Sequence, residues 1–261
     1  MSLTTHATRD VALLRTLLND DPARAAYLLG DLDAPYFDHC RWFVALAHER
    51  PVAVLLSFEA LSKPVLLSHG APDGVAAILD AFAAEIAPDC WAKIPLAHRD
   101  AFERVYTIVQ SQNLWTMELR RFFPVADAAG IVPLGEGDVQ EMLPLYASGA
   151  EHYFEASQMP AAVYFGRHEA DRLVSIAGTH VFSPRERVAV LGNIVTAEGA
   201  RNRGHARAVT SRLIEELQRR GCATIALQVA ADNQQAIAVY RRLGFLFRDV
   251  ILQSRCERKG S

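Results

Sequence analysis

Leu191-Gly192-Asn193-Ile194-Val195-Thr196, then Arg201-Asn202-Arg203-Gly204-His205-Ala206, then Asn233 and Tyr240-Arg241-Arg242-Leu243-Gly244-Phe245 make up the stretch from which the fold is read. The first segment is an apolar strand with a glycine inside it, the mark of a bulge or of a close backbone approach. The second runs straight into a helical pattern in which Ala206, Val209, Leu213, Ile214 and Leu217 share one face, with Arg219, Arg220 and Gly221 at its end. A strand, a glycine loop and a helix in that order make an anion cradle. First-turn N–H groups point outward, the helix dipole adds positive charge, and Gly204 lets the backbone approach without a Cβ in the way. Arg201 and Arg203 add cationic donors.

Short glycine motifs arise by chance, and this one takes its weight from the residues downstream of it. Asn233 and Tyr240 stand two helical turns apart and so share a face. The whole pattern, Arg201-x-x-Gly204-x-Ala206 together with Asn233…Tyr240-x-x-x-Gly244-Phe245, resembles the GNAT superfamily of acyl-CoA-dependent N-acetyltransferases, strongly over about residues 187–250 and acceptably from 130. The resemblance implies a mixed α/β sheet with the GNAT fold in the C-terminal half, and acetyl-CoA as co-substrate with no metal. It lays the pantetheine arm along Ile194, Val195 and Thr196. The pyrophosphate falls on Arg201, Asn202, Arg203, Gly204, His205 and Ala206. A backbone N–H between Asn193 and Val195 polarises the thioester carbonyl and stabilises the oxyanion. Asn233 contacts the pantetheine arm, and Tyr240 sits near the sulfur as a proton donor to the leaving thiolate. A thiol with a pKa of about 8.5 leaves fairly well unaided, so Tyr240 is expected to help without being indispensable.

An acceptor amine must lose a proton before it attacks, so a general base or a water path to one is expected. Glu151, His152 and Glu155 lie where the family builds the acceptor-side wall, His180 lies late in the neighbouring strand, and Asn193 faces away from Gly192 and Ile194. Glu151 and Glu155 lead among these. The acceptor is expected to be a small-molecule or peptide amine, with no nucleic acid or membrane as partner and a monomer or homodimer as the working unit. A non-catalytic acyl-CoA sensor or scaffold and a transferase of longer acyl groups are the alternatives.

Outward from this stretch, the 261 residues suggest one large domain or two modest ones. Phe123-Pro124 and the small residues up to Gly130 read as a linker, giving a divergent GNAT-like domain at 1–124 and a catalytic one at 130–255. The first half runs through the same elements: helices from Val11 and through Asp21–Leu32, strands at Trp42–Ala47, Val52–Phe58 and Pro64–Ser68, a helix at Asp73–Ile86, a strand, a helix and a strand. After its third strand, however, stands Ser68-His69-Gly70-Ala71-Pro72-Asp73-Gly74, which lacks the arginine and the glycine spacing, so this half is expected not to bind CoA. In the second half, Tyr153–Val163 reads as mostly helical and Phe245–Gln253 as the closing strand. A net charge of −3 argues against a general phosphate-backbone binder. Cys40, Cys90, Cys222 and Cys256 are too scattered for a zinc pair and suit reduced thiols in the cytoplasm. A polar N-terminal segment and the lack of a long apolar run argue against a signal peptide and a membrane span.

Overall fold

The computed structural model describes residues 3–34, 36–127, 129–147 and 154–260. The chain divides into two units, one made of residues 1–116 and 248–261, the other of residues 117–247.

The first unit runs β1 (Leu3–Thr8), α1 (Val11–Leu18), α2 (Ala26–Gly30), β2 (Cys40–Ala47), β3 (Arg50–Phe58), β4 (Val65–Gly70), α3 (Pro72–Phe82), β5 (Asp89–Pro95), α4 (Arg99–Val105) and β6 (Tyr106–Leu119). Asp10 caps α1 by accepting from the N–H groups of Ala12 and Leu13. Strands β1 to β4 pair antiparallel in sequence, and β4 pairs parallel with β5. Alternate residues of these strands (Phe43, Ala45, Ala53, Leu55, Leu66, Ala92) pack on Val75, Ile78 and Phe102 from the helices. Truncating Ile78 to alanine would cost roughly 2–5 kcal/mol.

The second unit repeats the order: β7 (Ile131–Leu134), α5 (Val139–Ala147), β8 (Tyr164–Glu169), β9 (Arg172–Ser183), β10 (Val188–Thr196), α6 (His205–Arg219), β11 (Thr224–Ala230) and α7 (Gln234–Leu243), followed by β12 (Phe245–Arg258). Here β7 to β10 are antiparallel neighbours and β10 is parallel to β11. Met142, Leu145 and Tyr146 of α5 cover Tyr164, Ile176 and Val195 on one face. Among the described residues, no helix is long and apolar enough to cross a membrane.

Four details differ from the sequence expectations. Residues Leu3–Thr8 form a strand on β2, with Leu3 and Thr5 half-buried, by pairing with a neighbour that the linear sequence does not name. Helix α2 covers only Ala26–Gly30, shorter than the Asp21–Leu32 helix expected. The helix expected over Tyr153–Val163 is, in its described part, a 3₁₀ turn at Ala156–Ala161, where Pro160 lacks the N–H an α-helix needs. The strand expected to close the second domain instead pairs with β5, from Ile251↔Pro95 to Glu257↔Asp89. Its Leu252 and Cys256 join the core of the first unit.

Candidate functional site

The site is built where two parallel strands part. The β10–β11 ladder begins at Val188↔Thr224 and ends at Leu191↔Leu227, although β10 continues to Thr196 and β11 to Ala230. On its other edge, β10 changes register against β9 between Gly192 and Val195, so Asn193 and Ile194 bulge out of the ladder. Asn193 takes φ +52°, the left-handed region that asparagine tolerates better than most residues. Beyond the bulge, Ser175 donates its hydroxyl hydrogen bond to the Val195 carbonyl at 3.0 Å, and its Oγ lies 2.8 Å from Thr196 Oγ1.

The bulge is held by a polar group of four side chains, three of them buried and His180 half-buried. Tyr146 donates its hydroxyl to the Asn193 carbonyl at 2.8 Å, and Asn193 Nδ2 donates to the Tyr164 hydroxyl at 2.8 Å. His180 Nε2 lies 3.3 Å from Asn193 Oδ1. Burial, and secondarily the nearby Tyr164, push the Tyr146 phenol far above its ordinary range, so it stays an O–H donor. Two glycines make room for these rings. A Cβ on Gly178 would lie 2.1 Å from the Tyr164 ring, and a Cβ on Gly192 would lie 2.3 Å from the His180 ring.

The loop after β10 leads into α6 with Gly204 at the N-cap, φ +85°. A Cβ there would meet no atom within 4 Å, so the space above this backbone is open. No side chain caps the first turn of α6, and its N–H groups remain available to an anion. Arg201, Asn202 and Arg203 are exposed. Arg201 Nε reaches the Thr196 carbonyl at 3.4 Å, Arg203 pairs with Glu169 at 2.9 Å, and Asn202 Oδ1 accepts from Gln235 Nε2 at 2.5 Å. An exposed pair such as Arg203–Glu169 contributes little and exchanges readily for a phosphate. His205 is buried, and burial lowers its pKa, so it adds no fixed positive charge. Its Nε2 is 3.2 Å from Glu169 Oε1, yet neither ring nitrogen makes an aligned hydrogen bond. An uncapped helix start beneath the open space at Gly204, with exposed arginines beside it, fits a bound diphosphate. Ala206 lies half-buried in that first turn.

Asn233 caps α7, accepting from the Ala236 N–H at 3.0 Å, and is exposed. Tyr240 is buried on the inner face of α7, its ring 6.0 Å from that of Phe245 and edge-on to it. Burial raises its pKa, so the phenol keeps its proton. Glu155 is exposed at the start of the 3₁₀ turn, with no partner among the described hydrogen bonds. Glu151 and His152 lie outside the described residues. Sequence reasoning missed Tyr146 and Tyr164 as supports of the bulge, and Glu169 as the partner of the loop. Gly178 was the one available signal, since an interior strand glycine often marks a packed ring.

Residues 136–245 match the family model described as acetyltransferase (GNAT) family. The ribosomal protein bS18-alanine N-acetyltransferase of Escherichia coli K12 is 34% identical over 96 residues, 37% of this chain and 63% of that protein. The chain thus spans less than two thirds of the length of the curated relatives it matches. Among solved structures, a GCN5-related N-acetyltransferase from Sphaerobacter thermophilus superposes with a TM-score of 0.63 at 15% identity, over 99% of this chain and 97% of that one. A tandem GNAT protein from the clavulanic acid biosynthesis pathway superposes with a TM-score of 0.58 at 14% identity, over 100% and 99%. At these identities the structures show the fold, which covers the second unit and, in divergent form, the first.

Proposed function

We propose, from the match of residues 136–245 to the acetyltransferase (GNAT) family model, that the protein transfers an acetyl group from acetyl-CoA to a primary amine by direct attack in a ternary complex. The observation that carries this reading is the opening between β10 and β11 past Leu191 and Leu227, flanked by the Asn193 bulge. There the backbone of Ile194, Val195 and Thr196 offers an edge on which a pantetheine amide can pair as an added strand would. Gly204, the first turn of α6, Arg201 and Arg203 take the pyrophosphate. Asn202, His205 and Ala206 complete that loop, and Asn233 borders the arm from the start of α7. An N–H of the bulge at Asn193–Val195 stabilises charge developing on the carbonyl oxygen. Tyr240, neutral and buried, gives a proton to the departing thiolate. Holding both reactants together supplies much of the rate.

The first unit binds no coenzyme. The four free, buried cysteines suit a reducing compartment such as the cytoplasm. The test is thiol release from acetyl-CoA in the presence of a panel of amines: free amino acids, polyamines and a peptide with an N-terminal alanine. Release with at least one amine, matched by acetylated product in mass spectra, is expected. Acetyl-CoA binding without release for any amine would make the protein a sensor.

A further inference from the structure

We propose that Cys90 and Cys256 form a reversible modification site, in which a peroxide converts the two thiols into a disulfide that fastens β12 to β5. Both cysteines lie in the first unit, and the proposal stands apart from the acetyl-transfer reading. The two residues are far apart in sequence, yet the β5–β12 ladder makes them Cα partners. Partners in an antiparallel ladder point to the same side. Here that side is the core, and both residues are fully buried in the cluster that holds Ala92, Ile94, Phe102, Tyr106 and Leu252. The other two cysteines have no such counterpart. Cys40 stands opposite Phe58 in its ladder and donates its thiol to the Tyr36 carbonyl at 3.2 Å, and Cys222 belongs to the second unit.

The backbone sets the reach between the two sulfurs. The Arg258 N–H donates to the Pro88 carbonyl, two steps along the ladder, so Cys90 and Cys256 also occupy a hydrogen-bonded position. At such a position the Cα atoms stand about 5.5 Å apart, which is the usual separation across a disulfide. The Cβ atoms stand at about 5 Å, wider than the roughly 3.8 Å of a relaxed bridge, so the bond closes under strain and reopens readily in a reducing medium. Access comes from the end of the strand. β12 stops at Arg258, two residues past Cys256. It is pinned there by Arg258 Nη2 on the Ile86 carbonyl at 2.6 Å, and by Lys259 on the carbonyls of Val105 at 2.9 Å and Glu103 at 2.6 Å. Opening so few bonds costs less than unfolding the unit and admits a small oxidant.

The thiols are unequal partners. Cys90 donates its S–H to the Cys256 sulfur, and this hydrogen bond, with burial, raises the Cys90 pKa. The same bond lowers the Cys256 pKa against the opposing effect of burial. Asp89, Arg258 and the Tyr106 phenol also act on Cys90. Cys256 is therefore the thiol that ionises first, and the thiolate is the nucleophile. In the step, the Cys256 thiolate attacks one peroxide oxygen. The O–O bond breaks, and the hydroxide that leaves takes up the proton Cys256 gave away, as water. Cys256 is now a sulfenic acid. The Cys90 sulfur attacks it, the S–S bond forms, and the S–O bond breaks. The oxygen leaves as a second water with the Cys90 proton. The two sulfurs are oxidised and the peroxide is reduced.

The experiment treats the folded, full chain with hydrogen peroxide, alkylates the remaining thiols in denaturant and maps the peptides without reduction. The free thiols are expected to fall from four to two, with one cross-linked peptide pair carrying Cys90 and Cys256. Dithiothreitol should restore all four. The thermal midpoint of the oxidised protein should rise by roughly 5 °C, because the bridge closes a long loop of the unfolded chain. Cys256→Ala should lose both the cross-link and the rise. Since that variant empties part of the core, a second one carries the test independently of its folding: the double variant Cys40→Ser, Cys222→Ser keeps the pair and should lose both its thiols to the same cross-link. Four thiols left after treatment, a bridge to Cys40 or Cys222, or oxidation of Cys256 to a sulfinic or sulfonic acid that dithiothreitol does not reverse would each overturn the proposal.

Discussion

The two units open the same gap and fill it differently. In the first, β4 and β5 pair from Val65↔Trp91 to Leu67↔Lys93 and then part, as β10 and β11 part after Leu191↔Leu227. In the first unit the backbone beyond the parting is occupied by the protein itself. His98 is buried, with Nδ1 2.8 Å from Ser68 Oγ and Nε2 3.0 Å from the Gly70 carbonyl. Gly70 is also shut in: a Cβ on it would lie 2.3 Å from the Val52 carbonyl oxygen, whereas one on Gly204 meets nothing. The following helix α3 begins with Asp73 in its first turn, and α6 has no acidic residue there. Topology supplies the opening in both halves, and a few side chains decide whether it is offered to a ligand.

The sharpest test of this contrast replaces each glycine by valine. Gly204→Val forces a β-branched residue into φ +85° and places methyl groups over the loop. Acetyl-CoA affinity is expected to drop on the order of 100-fold, about 2.7 kcal/mol, and the left-handed backbone to cost about 1–2 kcal/mol of stability. Gly70→Val, which adds a clash with the Val52 carbonyl to the same backbone strain, should lower the unfolding midpoint further and leave coenzyme affinity intact. Equal losses of affinity would break the comparison.

Removing the plug is the next largest perturbation. His98→Ala leaves the Ser68 hydroxyl and the Gly70 carbonyl without their partner, at a cost of about 2 kcal/mol in urea unfolding. Acetyl-CoA should still bind at one equivalent per chain, because the first unit has no phosphate loop. A second equivalent in His98→Ala would show that His98 alone keeps the coenzyme out.

Tyr240→Phe keeps the ring and loses the donor. A roughly tenfold fall in kcat with unchanged acetyl-CoA affinity is expected, about 1.4 kcal/mol, and should be largest for the least acidic amines.

The smallest expected effect concerns the far end of α6. Glu216 is held by Arg219 at 2.6 Å and Arg220 at 2.7 Å. These hydrogen bonds bring its pKa down to about 2. A depressed carboxylate stabilises the fold above its unfolded value and loses that contribution as pH falls towards 2. Since both arginines are substantially exposed, Glu216→Gln should cost only about 1 kcal/mol at neutral pH. The cost should vanish in unfolding curves taken below about pH 3. Helix α3 has no basic residue in its last turn and therefore nothing equivalent to lose.

Much of the second unit was legible because its signals are local. A strand glycine, a glycine at a helix start, an N-cap and two residues seven apart lie close along the chain, and each has a backbone reason. Helices α6 and α7 carry the Ala206–Leu217 face and the Asn233–Tyr240 spacing read from the sequence for the same reason. Other features depend on distant partners. Leu3–Thr8 is too short and polar to declare itself a strand without β2, and nothing in Phe245–Gln253 says which sheet edge it will join. The polar group at the bulge illustrates this too: Asn193 meets Tyr164 and His180, each more than ten residues away in sequence.

The sequence by itself determined the family resemblance, the glycine loop and the absence of a phosphate loop after β4, because these depend on residue type and spacing. Tertiary structure alone decided that Asn193 bulges at φ +52° between two tyrosines and a histidine, that His98 closes the first gap, and that the last strand completes the first unit. Each of these is a pairing across long stretches of chain. It forms because a buried polar group or an open strand edge must find a partner, and the linear order does not say which partner comes near.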